Sequence, residues 1–192
     1  MEANLNSQDG AQSALSSLLD ILGGANTAIT PMALEALLSR SQVSLCELAP
    51  WIKFDPSIYA RNRVALFPHA ELLVMCWHSG QLTPIHDHNG SACAVKVLAG
   101  TATEISYRPS NHGTLIPASH GCFAPGAVLH SYDQDMHQLG NLEIAGQDLV
   151  TLHCYSPPLT DMRLFDGEST YFSNYDSLLN EVRSRLSPAE TF

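Results

Sequence analysis

The chain has 192 residues, 45% hydrophobic and only 15% charged, with nine Lys and Arg against nineteen Asp and Glu and a formal net charge of −10. That length suits one domain with a sizeable core, and the composition is that of a globular chain rather than a disordered one. The basic residues are scattered singly, which argues against a phosphate-neutralising surface, and the absence of a long apolar run argues against a membrane span.

The opening Met1-Glu2-Ala3-Asn4-Leu5-Asn6 lacks the basic stretch and apolar run of a secretory signal. Residues 11–48 read as helical. Ala14, Leu15, Leu18, Leu19, Ile21 and Leu22 form an apolar face, which Gly23-Gly24 closes as a C-cap. Thr30 and Pro31 mark a second helix start, with Met32, Leu34, Leu37 and Leu38 directed inward. A third, short helix is expected over 44–51. From Asn62 the pattern changes to short strands, expected at 62–67, 71–78, 82–87, 92–98, 101–108, 121–124, 136–140 and 148–155. Asn89-Gly90, Ala99-Gly100, Pro109 and Pro125-Gly126 punctuate them as turns. Many short strands with such turns predict a sandwich or barrel. The tail beyond Asp166 is polar, with a helix expected at 175–186 and no chemistry legible in it.

The chain is therefore read as one domain over 1–192: helices at about 11–50, a β-barrel at about 52–166, and a tail at 167–192. Five cysteines, odd in number and irregularly spaced, do not form a disulfide framework, so a reducing cytoplasm is the expected compartment. A monomer is the expected state.

His86-Asp87-His88 is the first chemical signal. Histidines at i and i+2 on a strand share a face, so both imidazoles can reach one ion, while Asp87 points to the other face. The pair sits in a longer pattern, with Gly80 before it and Cys93 and Gly100 after it. This pattern resembles the first motif of the cupin superfamily, in which a glutamate normally holds the position of Cys93. His137 followed by Asn141 repeats the spacing of the second cupin motif, and His130 after Pro125-Gly126 is the rival third ligand. His69, His78, His112 and His120 carry no ligand spacing and are read as surface or loop residues.

Further along, Thr151, His153 and Tyr155 alternate with Val150, Leu152 and Cys154. A polar row on an inward face requires hydrogen bonds or a wet cavity; an exposed edge strand would carry the same pattern at no cost. Ser156-Pro157-Pro158 ends the strand. Together with Tyr59-Ala60-Arg61-Asn62, Cys76-Trp77 and the histidine motif, Leu152-His153-Cys154-Tyr155-Ser156-Pro157-Pro158 resembles cysteine dioxygenase, a thiol dioxygenase family of the cupin superfamily, over residues 52–166.

The resemblance implies a mainly β, cupin-type small barrel or jelly roll with N-terminal α-helices. It also implies Fe(II) on His86, His88 and His137, and a hydrogen-bonded row of Tyr155 and His153 backed by Thr151. The implied reaction adds O₂ to the thiol of L-cysteine to give cysteine sulfinate. Some members join a cysteine to that tyrosine by a thioether; Cys93 is either half of such a bond with Tyr155 or a buried structural thiol. Parity would put Cys93 on the face opposite His88 unless Asn89-Gly90 resets it.

Arg61, in a weakly basic chain and just before an expected strand, suits bidentate binding of a substrate carboxylate, with Tyr59 beside it; Arg63 competes for that role. Relatives that prefer 3-mercaptopropionate tend to carry glutamine there and lack the Ser-Pro-Pro turn. The remaining alternatives are a dioxygenase of another small thiol, a cupin enzyme of another kind, and a non-catalytic metal-binding sensor. In each case the partners are small molecules, not nucleic acid or membrane.

Overall fold

Three side-chain oxygens start the helices. In α1 (Ala14–Gly23) the Ser13 hydroxyl accepts from Ser16 N at 3.0 Å, and in α2 (Pro31–Arg40) the Thr30 hydroxyl accepts from Ala33 N at 3.3 Å. Ser44 and Glu47 form a reciprocal capping box on α3 (Leu45–Leu48), which continues as a 3₁₀ turn, Ala49–Trp51. This computed structural model describes residues 12–132, 135–165, 170–173, 177 and 180. The helix expected at 175–186 falls outside them apart from positions 177 and 180, which are helical.

The strands are β1 (Ala60–Leu66), β2 (Glu71–Trp77), β3 (Ile85–Asp87), β4 (Ala92–Ala99), β5 (Ala102–Pro109), β6 (Leu115–Phe123), β7 (Val128–Ser131), β8 (His137–Gly140), β9 (Leu149–Ser156), β10 (Met162–Phe165) and β11 (Thr170–Ser173). They form two sheets, ordered β1-β2-β9-β4-β7 and β11-β10-β3-β8-β5-β6, with every described pairing antiparallel. The chain crosses repeatedly between them, as in a jelly roll, and the fold is the mainly β, cupin-type architecture expected from the motifs.

Two cores share the first sheet. Its inward face, with Leu73, Met75, Trp77, Val95 and Leu149, packs on Leu139 and Leu164 of the second sheet. Its outward face, with Leu72, Val74, Leu152 and Cys154, packs under Leu18, Leu22, Leu34 and Leu38 of the helices. Covered on both faces, β2 and β9 are buried at every position. Lys96 ties the layers together, donating from Nζ to the carbonyls of Leu38 at 3.0 Å and Ser41 at 2.5 Å, at the end of α2.

Two expected core residues lie outside. Ile21 and Met32 are 56% and 66% exposed. Leu34 and Leu38 set the buried face of α2, and Met32 is two residues, or about 200°, from Leu34. Strand β6 starts at Leu115 rather than 121; as an edge strand it is polar and admits Pro117 opposite a bulge at Ser106/Tyr107, which hides its periodicity. Strands β7, β10 and β11 went unread, being four residues each. The segment expected at 82–87 pairs continuously only over β3, with Leu82 making a single bridge to Gly140.

Candidate metal and substrate site

His86 lies on β3 directly opposite His137 on β8, and His88 follows one residue after β3. One ligand atom from each of the three lies within 4.8 Å of the other two, and all three side chains are buried. Their other ring nitrogens are held. His86 Nδ1 donates to the Pro84 carbonyl at 3.0 Å, which can only accept, so the lone pair of His86 is on Nε2. His137 Nδ1 faces the Glu104 carboxylate at 3.5 Å, and His88 Nδ1 meets the Ser131 hydroxyl at 3.0 Å. Fixing Nδ1 in this way aims Nε2 at a common point, the arrangement of metal-ligating imidazoles.

Burial keeps these rings neutral. It lowers the pKa of His86 to about 4 and those of His88 and His137 well below the ordinary value, the latter two also lowered by neighbouring ligand imidazoles. Three neutral, convergent imidazoles fit a divalent first-row metal. Among the described residues, this is the one His/Cys/Asp/Glu group that closes on a point. His130 is outside it: on β7 its Nδ1 pairs with Glu35 of α2 at 3.0 Å, so His137 supplies the third nitrogen.

Asp87, between the two ligands, is buried and held by Arg163, whose Nε and Nη2 lie 3.0 and 2.6 Å from its two carboxylate oxygens. It also accepts from Asn89 N at 3.1 Å. Asn89 and Gly90 both take positive φ, 45° and 92°, and Ser91 N returns to the His88 carbonyl at 3.0 Å. This turn is the parity reset that lets both His88 and Cys93 face inward.

On the inward face of the first sheet, one cross-strand row runs Glu71, Tyr155, Cys93, Ser131. Cys93 is directly opposite Tyr155 in the antiparallel register of β4 and β9. Burial raises the pKa of both groups, so both are protonated at neutral pH. The next positions along β9 complete a chain of hydrogen bonds. Trp77 Nε1, a donor only, reaches Thr151 Oγ1 at 3.0 Å; Thr151 Oγ1 meets His153 Nε2 at 2.9 Å; His153 Nδ1 meets the Tyr155 hydroxyl at 3.2 Å. Trp77 occupies one lone pair of the Thr151 hydroxyl, and the two ring nitrogens of His153 link that hydroxyl to the Tyr155 phenol. β9 is central rather than an edge strand, so these polar groups are buried and satisfied, as are all described buried side-chain polar atoms.

His86, His88, His137, Cys93, His153 and Tyr155 line one cavity of about 20 Å³, room for a single small occupant. A polar pocket of about 270 Å³, bounded also by Ser106 and Asp135, shares Glu104, His130, Ser131 and His137 with it. A larger groove, about 740 Å³ between α1 and α2, is apolar and shares no residue with this site.

Arg61 lies inside β1, not before it, opposite Met75; its Cζ is 5.7 Å from the centre of the Tyr155 ring. Its side chain is 11% exposed, whereas that of Arg63 is 59% exposed at the sheet edge. Tyr59 is buried and stacks on Trp77 with ring centres 4.6 Å apart. The sequence reading missed Glu104, Ser131 and Pro84 behind the histidines, and Glu71 beside the arginines. Glu104 and Ser131 lie on strands distant in sequence from the ligands they hold, and no spacing marks Pro84 or Glu71 although both are near their partners in the chain.

The family profile described as cysteine dioxygenase type I matches residues 9–168. The cysteine dioxygenase type 1 of Bos taurus is 28% identical over 136 residues, covering 69% of this chain and 68% of its own. That of Danio rerio is 31% identical over 140 residues, covering 64% and 67%. Among solved structures, a conserved protein with a double-stranded beta-helix domain from Klebsiella pneumoniae aligns at TM-score 0.46 and 15% identity, covering 70% of this chain and 97% of its own. An RmlC-like cupin protein from Desulfovibrio desulfuricans aligns at TM-score 0.42 and 22% identity, covering 56% and 90%. With the profile spanning most of its length, the chain belongs to the cysteine dioxygenase type I family.

Proposed function

We propose that this protein is an Fe(II)-dependent thiol dioxygenase that adds both atoms of O₂ to the sulfur of L-cysteine, giving cysteine sulfinate. The observation that carries the reading is the meeting of the histidine triad with Tyr155 and His153 in one cavity, with Thr151 behind His153 and Arg61 over the Tyr155 ring. Fe(II), held by His86, His88 and His137, would supply the redox chemistry that joins O₂ to a substrate thiolate.

The chain's own residues do the rest. Neutral ligands leave the site net positive, which favours a thiolate and a carboxylate arriving together. Arg61 offers a planar fork to the carboxylate, and Tyr59 braces the wall through Trp77. Tyr155, its orientation fixed from behind by His153, holds a proton ready for substrate oxygen atoms. Cytoplasmic residence and a monomeric state are part of the same proposal.

The test is oxygen uptake by Fe(II)-loaded protein against a panel of thiols, with product analysis. One O₂ consumed per cysteine with sulfinate formed supports the reading. Preference for 3-mercaptopropionate moves it to another thiol dioxygenase, and metal binding without uptake for any thiol makes the protein a sensor.

A further inference from the structure

Glu71 is a carboxylate the proposed reaction does not use, yet it is 1% exposed and heads the inward row that continues to Tyr155 and Cys93. A buried carboxylate is costly unless paired. Two arginines pair it unequally: Arg63 Nε lies 2.7 Å from Oε1, and Arg61 Nη2 lies 3.9 Å from Oε2. The three groups sum to one positive charge. Glu71 is also a carboxylate set beside the same guanidinium that an incoming carboxylate would take.

We infer that Arg63, by engaging Glu71 at the sheet edge, keeps Arg61 available for the substrate carboxylate, making Arg63 a positioning residue for substrate choice. The inference rests on the reading of Arg61 as the carboxylate clamp. Arg63 is too exposed and too far out to touch substrate in the cavity; it acts through Glu71. Without Arg63, Glu71 has Arg61 as its remaining partner of the two, and the charge of the remaining pair sums to zero. An anionic substrate then meets a clamp already closed on an internal anion. A substrate lacking a carboxylate is indifferent to the change.

The test measures dissociation constants for L-cysteine and cysteamine by anaerobic calorimetry on Fe(II)-loaded protein, with KM and kcat alongside. Arg63→Gln is expected to weaken cysteine binding on the order of tenfold, with kcat retained and cysteamine unaffected. The double variant Arg63→Gln/Glu71→Gln is expected to return within about twofold of the unmodified protein. Arg63→Lys, which keeps a cation at Glu71, is expected to bind cysteine better than Arg63→Gln. Unchanged cysteine affinity in Arg63→Gln, a double variant as weak as the single one, or equal losses in the Lys and Gln variants would each overturn the inference. An Arg61→Gln variant separates the two readings. If it binds cysteine normally, the clamp itself is wrong; if it binds weakly while Arg63→Gln does not, only the role of Arg63 fails.

Discussion

Cys93 and Tyr155 stand directly opposite each other on the antiparallel strands β4 and β9, and both line the cavity that the histidine triad lines from the other sheet. Burial keeps both protonated. Neighbours in such a cross-strand pair sit about 5 Å apart at Cβ, close enough for a bond between them. A thioether forms when the sulfur loses its hydrogen and the ring loses an adjacent C–H, the two hydrogens and two electrons going to O₂. Protein turned over in air with Fe(II) and cysteine should therefore lose about 2 Da, confined to the Cys93 and Tyr155 peptides. Cys93→Ser should abolish the loss. Unchanged mass after extended turnover would leave Cys93 as a small buried core residue.

Removing Arg61 tests the substrate end of the site. Arg61→Ala should raise KM for cysteine by the equivalent of about 2–5 kcal/mol, the cost of leaving one partner of a buried charge pair alone. Metal content should not change, because Pro84, Ser131 and Glu104, not Arg61, hold the Nδ1 atoms of the triad. Cysteamine oxidised as well as cysteine by the unmodified protein would refute the clamp.

Metal analysis distinguishes His137 from its rival. His137→Ala should lose the bound ion, whereas His130→Ala, which breaks only the pair with Glu35, should keep it. Behind the ligands, Ser131→Ala and Glu104→Gln should each weaken metal binding by about 10–100-fold by freeing a ring nitrogen. Metal titration followed by absorbance reads all four; retention by His137→Ala would contradict the triad.

Acid sensitivity follows from His153. Burial first, then Arg61 and His86, lower its pKa from 6.5 to about 3. Between those values the unfolded chain binds a proton that the folded chain refuses. Unfolding free energy therefore falls as pH drops through the window, by about 1.4 kcal/mol per pH unit for this one group, and is fully recovered above it. Urea unfolding of metal-free protein at pH about 7.5, 6 and 5 should show a slope to which the three buried ligand histidines also contribute, and His153→Gln should show one shallower by the share of His153. Identical slopes would mean His153 is not the proton-refusing group.

Much of this protein was legible in its sequence because the decisive patterns are local. His86-x-His88 needs only strand geometry to share a face, and the alternation of Thr151, His153 and Tyr155 with Val150, Leu152 and Cys154 needs only the pleat. Asn89-Gly90 announced the turn that brings Cys93 inward, and the positive φ angles at both positions carry it out. Thr30 and Ser44 placed the starts of α2 and α3 within a residue, whereas the first helix, expected from about 11, begins at Ala14. What sequence left open was every choice that depends on a distant strand. The third nitrogen comes from His137 rather than His130 because β8 pairs with β3, while β7 pairs with β4 and turns His130 toward Glu35. The polar face of β9 is interior because β9 lies between β2 and β4 under a second sheet, and an edge strand of the same sequence would have faced water. Arg61 lies over the Tyr155 ring and Arg63 is exposed at the sheet edge although both share one face of β1, and Glu71, eight residues beyond Arg63, pairs closely with Arg63 and only distantly with Arg61. Periodicity is a property of one strand, whereas burial and partnership belong to the sheet, and only the closed sheets bring those groups together.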